Sequence, residues 1–173
     1  MKIRNVHERQ LNAPQELVGA LLDTLSSKDD RLWPSDRWPP MRFNAPLGVG
    51  ASGGHGPVHY AVSAYVPGRI TEFQFDGTGL TAGLDGRHLF EVIPHRSFVT
   101  LRHTIDAACD IKTWLTWHFV IGPMHDALLE DALDGAERHL NPGSSQSSRW
   151  SLWVRFLRRM TAKRASRITG KSA

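Results

Sequence analysis

Cysteine is nearly absent: Cys109 stands alone in 173 residues. No internal disulfide can form and no thiolate metal cluster can assemble, which fits a reducing compartment. No apolar run approaches the roughly 18 residues that a membrane span requires. The amino terminus, MKIRNVHERQ, has no apolar core of a signal peptide, so the expected address is the cytoplasm. Short catalytic signatures are missing as well. The G-x-S-x-G match at 50–54, GASGG, runs into an alternating strand with no helix after it and so makes no nucleophile elbow. There is no H-x-H or H-E-x-x-H pair, and Cys109 sits in an expected turn without a base beside it.

Acidic residues are missing from the last thirty positions. Eight of the 21 Lys and Arg residues lie there and none of the 17 acidic ones, so residues 1–143 are net negative although the whole chain is +4. Basic character belongs to a tail, which makes the body a poor nucleic-acid surface. The length suits one domain with one core. We read residues 1–141 as that domain, 142–148 as a flexible linker (within NPGSSQSS) and 149–173 as a basic amphipathic tail.

Glycine, by contrast, is concentrated in LGVGASGGHGPVHY. Gly48, Gly50 and Gly53 spell G-x-G-x-x-G, and Glu72 lies roughly where a ribose-binding acid would. A dinucleotide loop must open a helix that receives the pyrophosphate. Here the glycines run into GPVHYAV, an alternating strand. The stretch is therefore read as tight turns or bulges at a sheet edge, and no nucleotide cofactor is expected.

The remaining pattern defines the elements. Residues 2–11 form a weak first strand on Ile3, Val6 and Leu11. NAPQELVGALLDTL is a helix with Asn12 as cap and Leu17, Leu21, Leu22 and Leu25 as its stripe. Prolines 34, 39 and 40 break the next segment. From residue 57 the period becomes two, giving strands VHYAVSAYV, ITEFQFD, GRHLFEVI and FVTLRHTID. DIKTWLTWHFVI, aromatic and β-branched, is predicted as a further strand. PMHDALLEDALDGAERHL is a helix with Leu128, Ala132, Leu133, Ala136 and Leu140 inward and most of its acids solvated. His125 and Asp126, neighbours on that helix, are expected to diverge.

Turn geometry suggests the register. VPGR opposes Tyr60 with Phe75, Val62 with Phe73 and Ala64 with Thr71. PHRS opposes Val92 with Val99, Phe90 with Leu101 and His88 with His103. One face then carries Tyr60, Val62, Phe73, Phe75, Phe90, Val92, Val99, Leu101 and Ile105, with His88 and His103 among them. Paired imidazoles on an apolar face suggest cavity lining. Plain packing, or a metal site completed by His118 or His55, are the alternatives. The lack of a clustered ligand motif speaks against metal, and none is expected. His55 is read as a structural or surface residue. Trp33, Trp38, Trp114 and Trp117 are read as core or cavity wall.

The early helix, the meander from GPVHYAV to TWLTWHFV and the terminal helix MHDALLEDALDGAERHL together resemble the START-like, or SRPBCC, superfamily. WPSDRWPPM, GASGGHGPVHY, LRHT and HDALLEDALD resemble phrases of its uncharacterised bacterial members. The resemblance implies an α+β helix-grip fold, in which a curved antiparallel sheet wraps a long C-terminal helix around a hydrophobic cavity. It implies a small hydrophobic ligand, lipid-like, aromatic or polyketide-like. That ligand would meet Tyr60, Val62, Phe73, Phe75, His88, Phe90, Leu101, His103 and Trp114. An alternative is a cofactor-free cyclase or dehydratase with His88 or His103 as general acid/base and Tyr60 as hydrogen-bond donor. A third reading places the protein at an anionic membrane through Trp150, Trp153, Arg155, Arg158 and Arg159, or on a partner protein.

Overall fold

The computed structural model describes residues 1–144 and 147–169, the side chains of 162–169 excepted. Its strands are β1 (Lys2–Leu11), β2 (Met41–Phe43), β3 (Ser52–His55), β4 (Val58–Val66), β5 (Ile70–Gly79), β6 (Leu84–Pro94) and β7 (Val99–Cys109). They form one antiparallel sheet in the order β1-β7-β6-β5-β4-β3-β2. Helix α1 (Gln15–Asp23) follows β1. After β7 a continuous helical path runs through α2 (Ile111–Thr116), a π-helical turn (Trp117–Ile121) and α3 (Gly122–Leu140). Helix α4 (Leu152–Thr169) ends the described chain. This is the expected α+β helix-grip architecture, an open curved sheet with a long helix on its apolar face. Shifts of register in β4, between Val58 and Tyr60 and between Val62 and Ala64, are bulges that bend the strand.

The main core joins Val18, Leu21 and Leu22 of α1 and Leu128, Leu129, Leu133 and Ala136 of α3 to Tyr60, Val62, Phe73, Phe90 and Leu101 of the sheet. A smaller cluster at the other end holds Ile3, Phe75, Ile105, Trp117 and Ile121. Helix α1 lies against the β4–β5 turn, where Asp23 Oδ1 accepts from Tyr65 Oη at 2.9 Å and from the Gly68 amide at 2.8 Å. Asn12 does not cap α1. Pro14 takes that position, and Leu17 points to solvent.

The glycine-rich stretch is strand β3, wedged between β2 and β4. A Cβ at Gly53 would stand 2.0 Å from the Arg42 carbonyl oxygen, and one at Gly54 would stand 1.9 Å from that of Val58. Glycine is present because two backbones approach, with no helix following to bind a phosphate.

Three further sequence expectations differ from the structure. DIKTWLTWHFVI is helical, because the Asp110 carboxylate caps it by accepting from the Thr113 amide at 2.7 Å. Trp117 and Ile121, four residues apart, then share a buried face, so packing overrides strand propensity. In the first hairpin Tyr60–Phe75 and Val62–Phe73 pair as expected, but the bulge places Ala64 opposite Glu72. In the second, Val92 pairs with Leu101, Phe90 with His103 and His88 with Ile105. The slip is two residues, and an even slip keeps every side chain on its face.

The acids of α3 are the third correction. Asp131 and Asp134 are each 2% exposed. They are buried because β1 presents Asn5, His7 and Arg9 to this helix, and because aromatic residues from two other segments converge on Asp131.

Candidate functional site

On the apolar face Tyr60, Phe73, Phe90 and Leu101 are fully buried, and Val62, Phe75, His88 and His103 nearly so. The rings pack on one another. Tyr60 meets Phe73 at 5.1 Å and His88 at 4.7 Å. The His88 ring lies flat against Phe73 at 4.8 Å and Phe75 at 5.0 Å. His103 stands edge-on to Phe90 at 4.6 Å. Eight of the nine expected ligand residues therefore share one buried face. Trp114, half-buried on α2, packs against the smaller cluster and lies over His118.

His88 and His103 are diagonal neighbours across β6 and β7, and His88 Nδ1 lies 3.2 Å from His103 Nε2. One ring nitrogen donates and the other accepts. Burial, and then the like charge that His125 would carry, hold both pKa values well below the ordinary histidine value, so both rings are neutral near pH 7. A neutral imidazole carries one N–H and one lone pair. The two outer nitrogens, His88 Nε2 and His103 Nδ1, therefore present one donor and one acceptor whichever tautomers hold. Both atoms are buried and have no partner among the described residues.

His55 is a residue that sequence reasoning undervalued. Its Nδ1 lies 2.9 Å from Tyr60 Oη, and its ring lies 4.7 Å from that of Trp33. Burial lowers its pKa to about 3 and raises that of Tyr60 well above the phenol value. His118 is exposed and bonds to the Trp114 carbonyl, so it takes no part in this group.

Beyond His103 the file of rings continues. His125 lies 5.1 Å from His103 and 5.9 Å from His7. His7 places Nε2 3.0 Å from Asp126 Oδ1 and Nδ1 2.8 Å from Glu130 Oε1. Burial alone would lower His7, but the two carboxylates outweigh it and its pKa is raised. Arg9 completes the seam with Glu130 at 3.0 Å, Asp134 at 2.8 Å and Glu137 at 2.6 Å. His125 and Asp126 do not diverge as expected. Both reach β1, which lies over the shoulder of α3 that they share. None of the side chains in this file borders the open surface groove of about 600 Å³ lined by residues 12–16 and 94–99.

The tail residues divide. Trp150 donates from Nε1 to Asp131 Oδ2 at 2.9 Å, beside Trp38 Nε1 at 2.7 Å, while Arg37 Nη1 reaches Asp131 Oδ1 at 2.6 Å. The Arg158 guanidinium lies 4.3 Å over Trp38 and 4.2 Å over Trp150. Val154 and Leu157 are buried. Trp150 and Arg158 thus face the body and do not form the outward surface expected of them. Trp153, Arg155 and Arg159 remain exposed. Residues 145–146 and 170–173 of the expected linker and tail lie outside the described residues. Among the described residues no helix is long and apolar enough to cross a membrane.

No protein-family model and no curated protein matches the sequence. Solved structures do match. A Thermobifida fusca protein is 18% identical with a TM-score of 0.57, over 85% of this chain and 97% of its own. Norcoclaurine synthase from Thalictrum flavum, in complex with dopamine and hydroxybenzaldehyde, is 12% identical with a TM-score of 0.60, over 84% of this chain and 90% of its own. A Nitrosospira multiformis protein is 10% identical with a TM-score of 0.61, over 83% of this chain and all of its own. The fold is the START-like helix grip that the sequence resemblance implied. At these identities the likeness is one of fold.

Proposed function

We propose that the protein binds a small, largely hydrophobic molecule on the apolar sheet face beneath α3, oriented by Tyr60, His88 and His103. The observation that carries this reading is the pair of buried, unpartnered nitrogens, His88 Nε2 and His103 Nδ1, set among aromatic rings. Buried polar atoms are almost always satisfied, so orphans in a native core call for a partner. A ligand hydroxyl both donates and accepts, and so suits either nitrogen. A related fold holds dopamine and hydroxybenzaldehyde, molecules of the size and aromatic character proposed here.

The test is native mass spectrometry of gently purified protein, followed by denaturing extraction. A stoichiometric organic molecule is expected, and it is lost in His88→Phe while the circular dichroism spectrum is kept. Protein that carries no such molecule and shows no saturable binding of a hydrophobic fluorescent dye overturns the reading.

Helix α4 supports a second reading, contact with an anionic membrane. Trp153, Phe156 and Met160 of α4 are 46%, 49% and 55% exposed, and Arg155 and Arg159 of α4 are exposed. Phe119 of the π-helical turn, whose carbonyl accepts from Trp153 Nε1, is 62% exposed. Aromatic residues beside bases suit a negatively charged interface. Cosedimentation with phosphatidylglycerol vesicles, abolished by Trp153→Ala with Phe156→Ala and by high salt, is the expected result. Equal recovery of wild type and variant excludes it.

A further inference from the structure

Two imidazoles and a carboxylate meet where β1 crosses the first turn of α3, outside the proposed ligand face. His7 Nε2 lies 3.0 Å from Asp126 Oδ1, and His125 Nδ1 lies 3.9 Å from the same oxygen. One potential ligand atom from each of the three residues falls within 4.8 Å of those of the other two. Ligand atoms on a tetrahedral zinc ion, each about 2.0–2.2 Å from the metal, sit roughly 3.3 Å apart. The His7–Asp126 edge is already short enough, and the His125–Asp126 edge must close by only about half an ångström, within the reach of side-chain rotation on a half-exposed aspartate.

The surroundings match those of a metal centre in four respects. His125 Nδ1 is buried and has no hydrogen-bond partner among the described residues, although the nearest carboxylate is adjacent in sequence. A bound cation satisfies it. His7 has its second nitrogen, Nδ1, on Glu130 at 2.8 Å, and Glu130 is itself held by Arg9 at 3.0 Å. A carboxylate behind a histidine fixes the tautomer and aims the other nitrogen at a metal. Asp126 Oδ1 also accepts from Asn5 Nδ2 at 2.9 Å, which orients the carboxylate. Finally, the Asp126 side chain is 49% exposed while those of His7 and His125 are 13% and 14% exposed. An ion there has protein on one side and water on the other.

We propose that His7, His125 and Asp126 bind one divalent transition-metal ion of the zinc(II) class, leaving a coordination position open to solvent. Two nitrogen donors with a single carboxylate select zinc, iron(II) or cobalt(II) over magnesium and calcium, which take oxygen shells. Glu130 is a positioning residue for His7, and Asn5 is one for Asp126. The site stands independently of the ligand face, because none of its three donors is among the residues proposed to orient the ligand.

The test uses the full-length chain, freed of metal with a chelator and titrated with cobalt(II). The expected result is one ion per chain, with visible d–d absorption bands that zinc(II) abolishes. Asp126→Asn keeps the side-chain shape and is expected to weaken binding at least about tenfold, and Glu130→Gln about 10- to 100-fold. His118→Ala, which removes an exposed histidine outside the cluster, is expected to leave the titration unchanged. Circular dichroism confirms that each variant is folded. Wild-type protein that shows no 1:1 binding of either ion at micromolar concentration overturns the proposal. So does binding that Asp126→Asn leaves intact, which would place the ion elsewhere.

Discussion

At the scale of single residues, Asp131 carries an unusual share of the structure. It is 2% exposed, yet it receives hydrogen bonds from Arg37, Trp38 and Trp150. A carboxylate can accept four such bonds, so its burial is compensated. Truncation leaves a guanidinium and two indole N–H groups with no acceptor. Asp131→Ala is expected to lower unfolding stability by about 2–4 kcal/mol, measured by urea unfolding. A loss below about 0.5 kcal/mol would mean that water replaces the carboxylate without penalty. The same substitution is expected to shift tryptophan emission to the red, because Trp150 loses the bond that holds it against the body.

At the scale of elements, strand β3 shows how sequence composition serves backbone approach. Its glycines let β2 and β4 close on it from either side, with the Arg42 carbonyl 2.0 Å from where a Gly53 Cβ would be. Gly53→Ala is expected to cost on the order of 2–3 kcal/mol, since backbone must move. Gly143→Ala, where a Cβ would meet nothing within 4 Å, is the control expected to change stability little. Thermal unfolding of the pair distinguishes a packing requirement from a general effect of losing glycine. Helix α4 makes a related point. It docks through Val154 and Leu157 and through Arg158 stacked on two tryptophans, and Leu152, Trp153, Phe156 and Met160 are left exposed.

At the scale of the whole molecule, the file of buried histidines governs how the fold responds to acid. Burial holds His55 at about 3 and His88 well below its ordinary value. Above about pH 6.5 both are neutral in the folded and unfolded chains and contribute no pH dependence. Below that, the unfolded chain takes up protons that the folded chain refuses. Stability therefore falls as pH drops below about 6.5, for His55 down to its folded value of about 3, by up to ~1.4 kcal/mol per pH unit for each such histidine. Urea midpoints measured between neutrality and mild acid are expected to fall steeply in wild type. They are expected to fall less steeply in His88→Phe. Equal slopes would show that His88 gains protons freely in the folded state.

What the sequence determined by itself was periodic or local. Alternation from residue 57 onward marked the sheet and its apolar face, and helical spacing marked α1 and α3. Those patterns placed His88 and His103 inside together with Tyr60, Phe73 and Phe90, and this survived a two-residue error in register because side chains alternate with period two. The glycine run was readable as no phosphate loop, because such a loop needs a helix that the following residues cannot supply, but that it holds a strand between β2 and β4 was not. What only the tertiary structure decided was non-local or set by competing propensities. Trp114–Ile121 became helix because a cap and a buried face outweighed β preference. Asp131, Asp134, His55 and His125 gained their partners from segments far away in sequence, such as Arg37, Arg9, Trp33 and His7. Side-chain polarity shows that such a residue needs a partner. Which partner it meets depends on how β1, α3 and the tail come together, and that geometry has no periodic signature in the chain.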